Sequence, residues 1–559
     1  MIGIIYTGLL AFNLVTFIII QKTESIGKLT LIVCQRNFVI FVESSCSKAL
    51  LNIHSDLLMM LPLFLLFFII ILNREHMLYK YHIILFLLLS NQNLFSQKQG
   101  NIWYFGNYAG LDFGSTNPVA ISNGQINYSA QQGHNEGSCA ISDSTGKLLM
   151  YSDGTKIWNK KHQIMENGNF LLGNSSSTQS SIIVPHPKYY NRYYYVFTVG
   201  SAFCCGGNIT DGLRYSLIDI CLDSANGSVL PSKKNIKLID SVAEKIAVTR
   251  HANNIDYWIV THKYFSDEFW ALHLAANGIK DTVISKIGSM HSGTLGGSQG
   301  QLKFSNSGLK LAIAATNGLN LLELFDFNKA TGIVSNHKPL NVINNGSVYG
   351  VEFSADDSKL YSVTYSFAPT QFNLVQYDIS QNNLTTINSS LTTIYSENSN
   401  ISGKGLQIGI NSKIYMISPI DETKVSVINN PNAGGLACNY VNQSISLIGN
   451  GSYSLPTFIA GFDYSNSETD CNSTAVIETG IVSEHKIFPN PAVDKIIIQA
   501  ANDEFYNFSL TNTVGKILYT SIHNSSINEL DVSYFSNGMY YLQILTKNNT
   551  VIKKIIINH

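Results

Sequence analysis

One pattern is written twice between Gln301 and Ser380, and it constrains the fold more than any other feature of the chain. The first copy is Gln301-Leu-Lys-Phe-Ser-Asn-Ser-Gly-Leu-Lys-Leu311, followed by Leu321-Leu-Glu-Leu-Phe-Asp-Phe327. The second is Gly350-Val-Glu-Phe-Ser-Ala-Asp-Asp-Ser-Lys-Leu360, followed by Leu374-Val-Gln-Tyr-Asp-Ile379. Phe304 aligns with Phe353, Lys310 with Lys359 and Asp326 with Asp378, the second copy carrying a slightly longer loop. Each copy reads as strand, tight polar turn, strand, loop, strand, because apolar and polar residues alternate around Ser/Asn/Asp/Gly clusters. A sheet this small cannot bury both faces alone, so it needs like sheets stacked against it. A repeat of about 40–50 residues with about four strands per unit is the mark of a β-propeller.

Further copies are legible. Cys139-Ala-Ile-Ser-Asp-Ser-Thr-Gly-Lys-Leu148 is a third, with Ile141 matching Phe304 and Lys147 matching Lys310. Weaker units begin at Ser181, Ile246 and Gly405. These make six, and the strand-like stretches Ile102–Phe113 and Leu455–Asp463 remain at opposite ends of the array. Pairing them would close the ring and remove its free edges. The expectation is an all-β chain, a propeller of seven blades (six being the alternative) over 97–465. A linker at 466–480 and a small β-sandwich of about seven strands over 481–559 follow.

Composition narrows the partners. Net charge is −1 over 559 residues and only 13% are charged, so nothing suggests nucleic acid or an anionic membrane surface. Residues 1–76 differ from the rest, with apolar runs at 8–20 and 57–72. From Met77 a basic start, an apolar Ile83–Leu89 and Ser96 before Gln97 read as a signal peptide over 77–96. Residues 1–76 are then either an over-extended reading frame or a membrane-anchored N-terminus. Membrane contact is expected only through that segment or by surface attachment. No Cys/His spacing suggests zinc, and no metal or cofactor site is expected. In an exported chain Cys204 or Cys205 with Cys221 is the nearest disulfide candidate, buried free thiols being the alternative.

The C-terminal module resembles the type A sorting domain of the type IX secretion system. The residues that carry the likeness are Phe488-Pro489-Asn490-Pro491, Leu510-Thr-Asn-Thr-Val-Gly515-Lys516, Ser536-Asn-Gly538-Met-Tyr540-Tyr-Leu-Gln-Ile544 and Lys553-Lys554-Ile-Ile-Ile557. Asn512 stands where the pattern usually has Asp. The resemblance implies a translocation signal read by the type IX machinery, usually removed at the cell surface, with the passenger secreted or attached there. Residues 102–463 resemble the propeller regions of secreted proteins that carry such domains. Trp103-Tyr-Phe-Gly-Asn107, Tyr151-Ser-Asp-Gly154, Ile157-Trp-Asn159, Leu171–Ser180, Tyr257-Trp-Ile-Val-Thr-His262 and Leu455-Pro-Thr-Phe-Ile459 carry that likeness. It brings no catalytic residues with it.

No G-x-S-x-G, H-E-x-x-H, P-loop, EF-hand or dinucleotide fingerprint occurs, so no catalytic residue is assigned. The densest ionisable cluster, His251, His262, Asp267, Glu268 and His273, has no metal-ligand spacing and reads as solvated loop charges and strand ends. Leu171–Ser180 is the most unusual polar stretch. Ser176, Thr178 and Gln179 could hold a glycan with Tyr151 or Trp158 as stacking platform. The same hydroxyls and amides could equally satisfy backbone groups of a long inter-blade loop. Asp326 and Asp378 read as structural. The expected function is non-enzymatic binding or adhesion to a surface glycan or protein. A polysaccharide hydrolase or lyase, or a structural matrix protein, are the alternatives.

Overall fold

The computed structural model divides into two units, 1–94 and 95–559, each taken by itself. In the first, only the strands Gly3–Ile4, Phe17–Thr23, Lys28–Gln35 and Phe38–Ser44 are described, and they pair in order as one antiparallel sheet. The apolar run 57–72 and the signal peptide at 77–96 lie outside the described residues. In the second unit the description runs from Lys98 to His559, except 129–134, 202–210, 293–296, 317, 399–402, 465–470, 472–485, 500–505, 514, 524–526 and 547–549.

Seven antiparallel sheets follow one another along 102–446, each hydrogen-bonded in simple chain order over most of its width. Blade 1 holds Ile102–Phe105, Ala109–Asp112 and Val119–Ile121. Blade 2 holds Cys139–Ser142, Leu148–Ser152 and Ile157–Asn159. The blades that follow begin with Ser181–Pro185, Ala247–Arg250, Leu302–Phe304, Ser347–Phe353 and Leu406–Ile408. These first strands are buried almost throughout, because each has a blade on both sides. The fold is therefore a seven-bladed propeller.

The two written copies are blades 5 and 6. Lys310 stands opposite Asp326, and Lys359 opposite Asp378, on the second and third strands, with ion pairs of 3.5 and 3.1 Å. The extra residues of the second copy lengthen its hairpin to Lys359–Phe367 and Thr370–Asp378. Tyr193, Tyr194 and Tyr195 are all buried, since the second strand of blade 3 is covered on both faces.

Ring closure departs from expectation in detail. Among the described residues blade 1 has no first strand of its own kind, and the chain around 450–457 runs between blades 7 and 2 in its place. Asn107 and Asn450 exchange backbone hydrogen bonds, Gly405 donates to Tyr453 O in blade 7, and Thr457 donates to Ser138 O in blade 2. Leu455–Asp463 is thus not a strand. It makes one parallel bridge, Thr457 to Cys139, and then a 3₁₀ turn at Ala460–Phe462. Pro456 has no N–H to give a ladder, and Gly461 sits at φ +66°.

After the propeller, seven strands form a three-stranded and a four-stranded sheet over a shared core of Ile496, Ile498, Phe508, Leu510, Leu542, Ile544, Ile555 and others. Among the described residues one disulfide joins Cys221 to Cys471, 250 residues apart, and not to a neighbouring cysteine; Cys204 and Cys205 lie outside the described residues. Cys139 and Cys438 are buried free thiols. Removing a cross-link of this span by Cys221→Ser is expected to lower unfolding stability by about 2–4 kcal/mol. Non-reducing urea melts check this, and reduced wild-type protein should match the variant.

Candidate functional site

Every first strand of blades 2–7 is followed by an antiparallel neighbour, so all six run the same way and begin at one end of the ring. The residues two or three places before each start therefore crowd around the axis. They are Glu136, Thr178, Glu244 with Lys245, Gln299 and Lys404, and they are joined by Tyr349, the third residue of the blade-6 first strand, at its bulge. The long connection 160–180 and the described residues 135–138, which lead into blade 2, lie at this end. The first-to-second strand turns at the other end are short.

At this mouth the Tyr349 hydroxyl donates to Glu136 Oε2 at 2.6 Å and the Ser176 hydroxyl to Glu136 Oε1 at 3.2 Å. Burial, reinforced by the charge of Glu244, pushes the Glu136 carboxyl up to about 8. Glu136 is thus a carboxylic acid that keeps its proton near neutrality. Glu244 Oε1 accepts from Ser201 at 2.9 Å. Lys245 donates to the carbonyls of Gln299, Gly300 and Ala314 at 2.7–3.0 Å, and burial brings its ammonium down to about 7. Lys404 pairs with Glu422 at 2.7 Å and lies over the Tyr453 ring.

Deeper in, the axis is filled by side chains that join non-adjacent blades, which only the middle of a ring permits. Gln179, from the loop before blade 3, accepts from Leu302 N and donates to Leu302 O of blade 5. Gln301 of blade 5 accepts from Val351 N of blade 6 and Leu406 N of blade 7. Lys303 then bonds Glu352 at 3.1 Å and Gln407. Beyond these, towards the 457–462 segment, lies a cavity of about 30 Å³, room for about one water.

Of the sequence candidates, Ser176, Thr178 and Gln179 come together at the mouth. All are buried, and Thr178 accepts from Gly300 N at 3.1 Å. Each thus has a structural bond of the kind a long inter-blade loop needs. Tyr151 and Trp158 sit apart from them in blade 2, stacked at 5.3 Å and buried. A sugar-stacking role would require those rings to be uncovered. The ionisable cluster separates. His262 is buried against His291 near the mouth, Glu268 binds Trp270 and Lys286, and His251 and His273 lie at the far end of blade 4. Sequence reading missed Glu136, Glu244, Tyr349 and Lys404. For Glu136, Glu244 and Lys404 the one signal was a shared offset before each first strand, visible only once those strands are aligned; Tyr349, inside its strand, gave none.

In the C-terminal module the motif residues serve as clamps. Asn490, between Pro489 and Pro491, donates to Lys554 O and accepts from Ile556 N, both at 2.8 Å, tying the first motif to the last strand. Gly515 (φ +81°) closes the turn before Lys516, whose N–H is held by Asn512 Oδ1 at 2.9 Å; an Asn does here what the usual Asp would. Gly538 opens the strand carrying Tyr540, whose hydroxyl donates to Ser536 O, and Lys553 and Lys554 lie on the paired last strand. Residues 486–558 match the model of the secretion system C-terminal sorting domain. The module is a type IX sorting domain. It marks the protein as secreted or displayed at the cell surface and implies contact with the type IX secretion machinery.

No curated protein matches the chain in sequence. Among solved structures, PorZ, a surface component of the type IX secretion system of Porphyromonas gingivalis, aligns over 81% of this chain and 63% of its own at 11% identity and TM-score 0.30. A putative 6-phosphogluconolactonase of Bacteroides fragilis aligns over 57% of this chain and 96% of its own, at 12% identity and TM-score 0.33. TolB of Acinetobacter baumannii does so over 62% and 78%, at 9% and 0.31. Likenesses this distant carry no argument about this chain.

Two expectations follow. Lys303→Met leaves the buried Glu352 carboxylate without its cation and should cost about 3–5 kcal/mol in a urea melt. The folded protein holds the Glu136 proton up to about pH 8, whereas an unfolded glutamate releases it near 4.5. Glu136 therefore favours the fold at the acid end, and this contribution is lost as pH rises through that window. Melting temperature measured from pH 5 to 8 should fall less with rising pH in Glu136→Gln than in wild type.

Proposed function

We propose that the exported propeller is a non-enzymatic recognition module that takes a glycan or protein ligand at the mouth where its first strands begin. The observation that carries this reading is the ring of Ser176, Thr178, Tyr349, protonated Glu136 and Lys404 at the end where the long connection 160–180 lies. All but the part-exposed Glu136 are buried behind the mouth and already bonded, so a ligand would meet the Glu136 carboxyl first, held in place by the others, a polar group of the kind polyhydroxylated ligands match. The cationic groups are engaged already, Lys245 by three carbonyls and Lys404 by Glu422. Adhesion at the surface is the role this implies. A signal peptide at 77–96 would carry the chain across the inner membrane before the sorting domain acts.

One observation favours a second reading, an extracellular polysaccharide hydrolase. Glu136 and Glu244 feel one another's charge at a single mouth, and one of them is held protonated as a general acid must be. Glycan-array binding and reducing-end release, measured on the full chain and on Glu136→Gln and Tyr349→Phe, separate the two. Binding without product, weakened by Tyr349→Phe, supports recognition. Sugar release that Glu136→Gln abolishes while the melting curve stays cooperative makes the protein a hydrolase. Neither binding nor release overturns both.

A further inference from the structure

The far end of blade 4, away from the mouth, holds a group of side chains that neither reading uses. His251 follows the first strand Ala247–Arg250, Asp256 closes the turn before Tyr257–His262, and His273 lies near the end of Ser266–Ala275. One nitrogen of each imidazole and one carboxylate oxygen lie within 4.8 Å of one another. We propose that His251, Asp256 and His273 form a binding site for a divalent transition-metal ion of the zinc type.

The donor set selects the ion. Two imidazoles and one carboxylate suit zinc or its neighbours, whereas calcium and magnesium take oxygen ligands. Ligands about 2.0–2.2 Å from a tetrahedral ion stand about 3.3–3.6 Å apart, so side-chain rotations that move the donor atoms by about 1–1.5 Å close the site. Three protein ligands leave at least one position to water or to a group on a partner.

The outer shell is partly in place. Asp281 Oδ2 lies 4.0 Å from His273 Nδ1, on the side away from Asp256, which approaches His273 Nε2 at 2.9 Å. A carboxylate behind a ligating imidazole fixes its tautomer and raises its basicity. Asn253 Nδ2 donates to Asp256 Oδ2 at 2.9 Å and so orients that oxygen. The rings of His251 and His273 stack at 4.7 Å and 9°, with Trp258 packed against both at 5.6 and 4.9 Å. His251 is the weakest member. Its Nδ1 accepts the Asn253 N–H at 3.0 Å, and metal on Nε2 would place a proton on Nδ1 and displace that contact. His251 and Asp256 are part-exposed, so an ion can enter.

The test uses the full chain, stripped by chelator dialysis and titrated with Co²⁺, then with Zn²⁺. Expected are about one Co²⁺ per chain, a visible d–d band that Zn²⁺ abolishes, and partial quenching of tryptophan emission through Trp258. Asp256→Asn and His273→Gln should each weaken binding more than tenfold, His251→Gln less, and His262→Gln, at the mouth end, not at all. Melting curves without metal confirm that each variant folds. Should one of the strong variants fail to fold, the part-exposed His251→Gln and Asp281→Asn, each expected to weaken binding severalfold, take its place. Absence of a d–d band, or Zn²⁺ affinity unchanged in the folded variants, overturns the proposal.

Discussion

No blade of this propeller can bury both its faces alone, and everything else depends on that. A sheet of three or four short strands gains its apolar burial only from the sheet on either side, so the ring is stable only when its ends meet. Here they meet unequally. The N-terminal strands make blade 1, and the chain around 450–457 joins it to blades 7 and 2 through Asn107–Asn450, Gly405–Tyr453 and Ser138–Thr457. Residues more than 300 positions apart along the chain must find one another before the core is complete.

The common direction of the first strands decides where chemistry can collect. Their starts bring a polar ring together at one end, and their middles would leave polar faces stranded on the axis unless these bond each other. Gln179, Gln301 and the Lys303–Glu352–Gln407 group meet that need across the ring. Among the described residues the centre is consequently a hydrogen-bonded column. Buried polar groups of this kind are tolerated only when satisfied, and they leave one register in which the blades fit.

What was readable in the sequence follows from locality. The strand–turn–strand units are local, so blades 5 and 6, the third copy at Cys139–Leu148 and the seven strands of the sorting domain were visible in alternation and turn residues. Phe488-Pro-Asn-Pro491 and the Gly515-Lys516 turn were visible for the same reason. Contacts between blades were not. Lys310–Asp326 was seen as two repeated residues, not as one pair. Glu136 and Tyr349 are 213 residues apart, one just before a first strand and the other within one, and nothing in the sequence links them. Leu455–Asp463 read as a strand because its apolar residues are spaced like one, while Pro456 and Gly461 rule out a ladder there. Cys221 was matched to its neighbours because sequence distance was the only guide, and the fold joined it to Cys471 instead.

That last bond has a mechanical meaning. In a ring closed by its own C-terminal segment, a pull on the following linker would ordinarily peel the closing chain out of blade 1. The sorting domain lies beyond this linker. With Cys471 bonded to Cys221, tension passes into blade 3, beside the third strand Leu213–Asp219. A pull from the C-terminus would therefore load a covalent bond to blade 3 and not only the few backbone hydrogen bonds that close the ring.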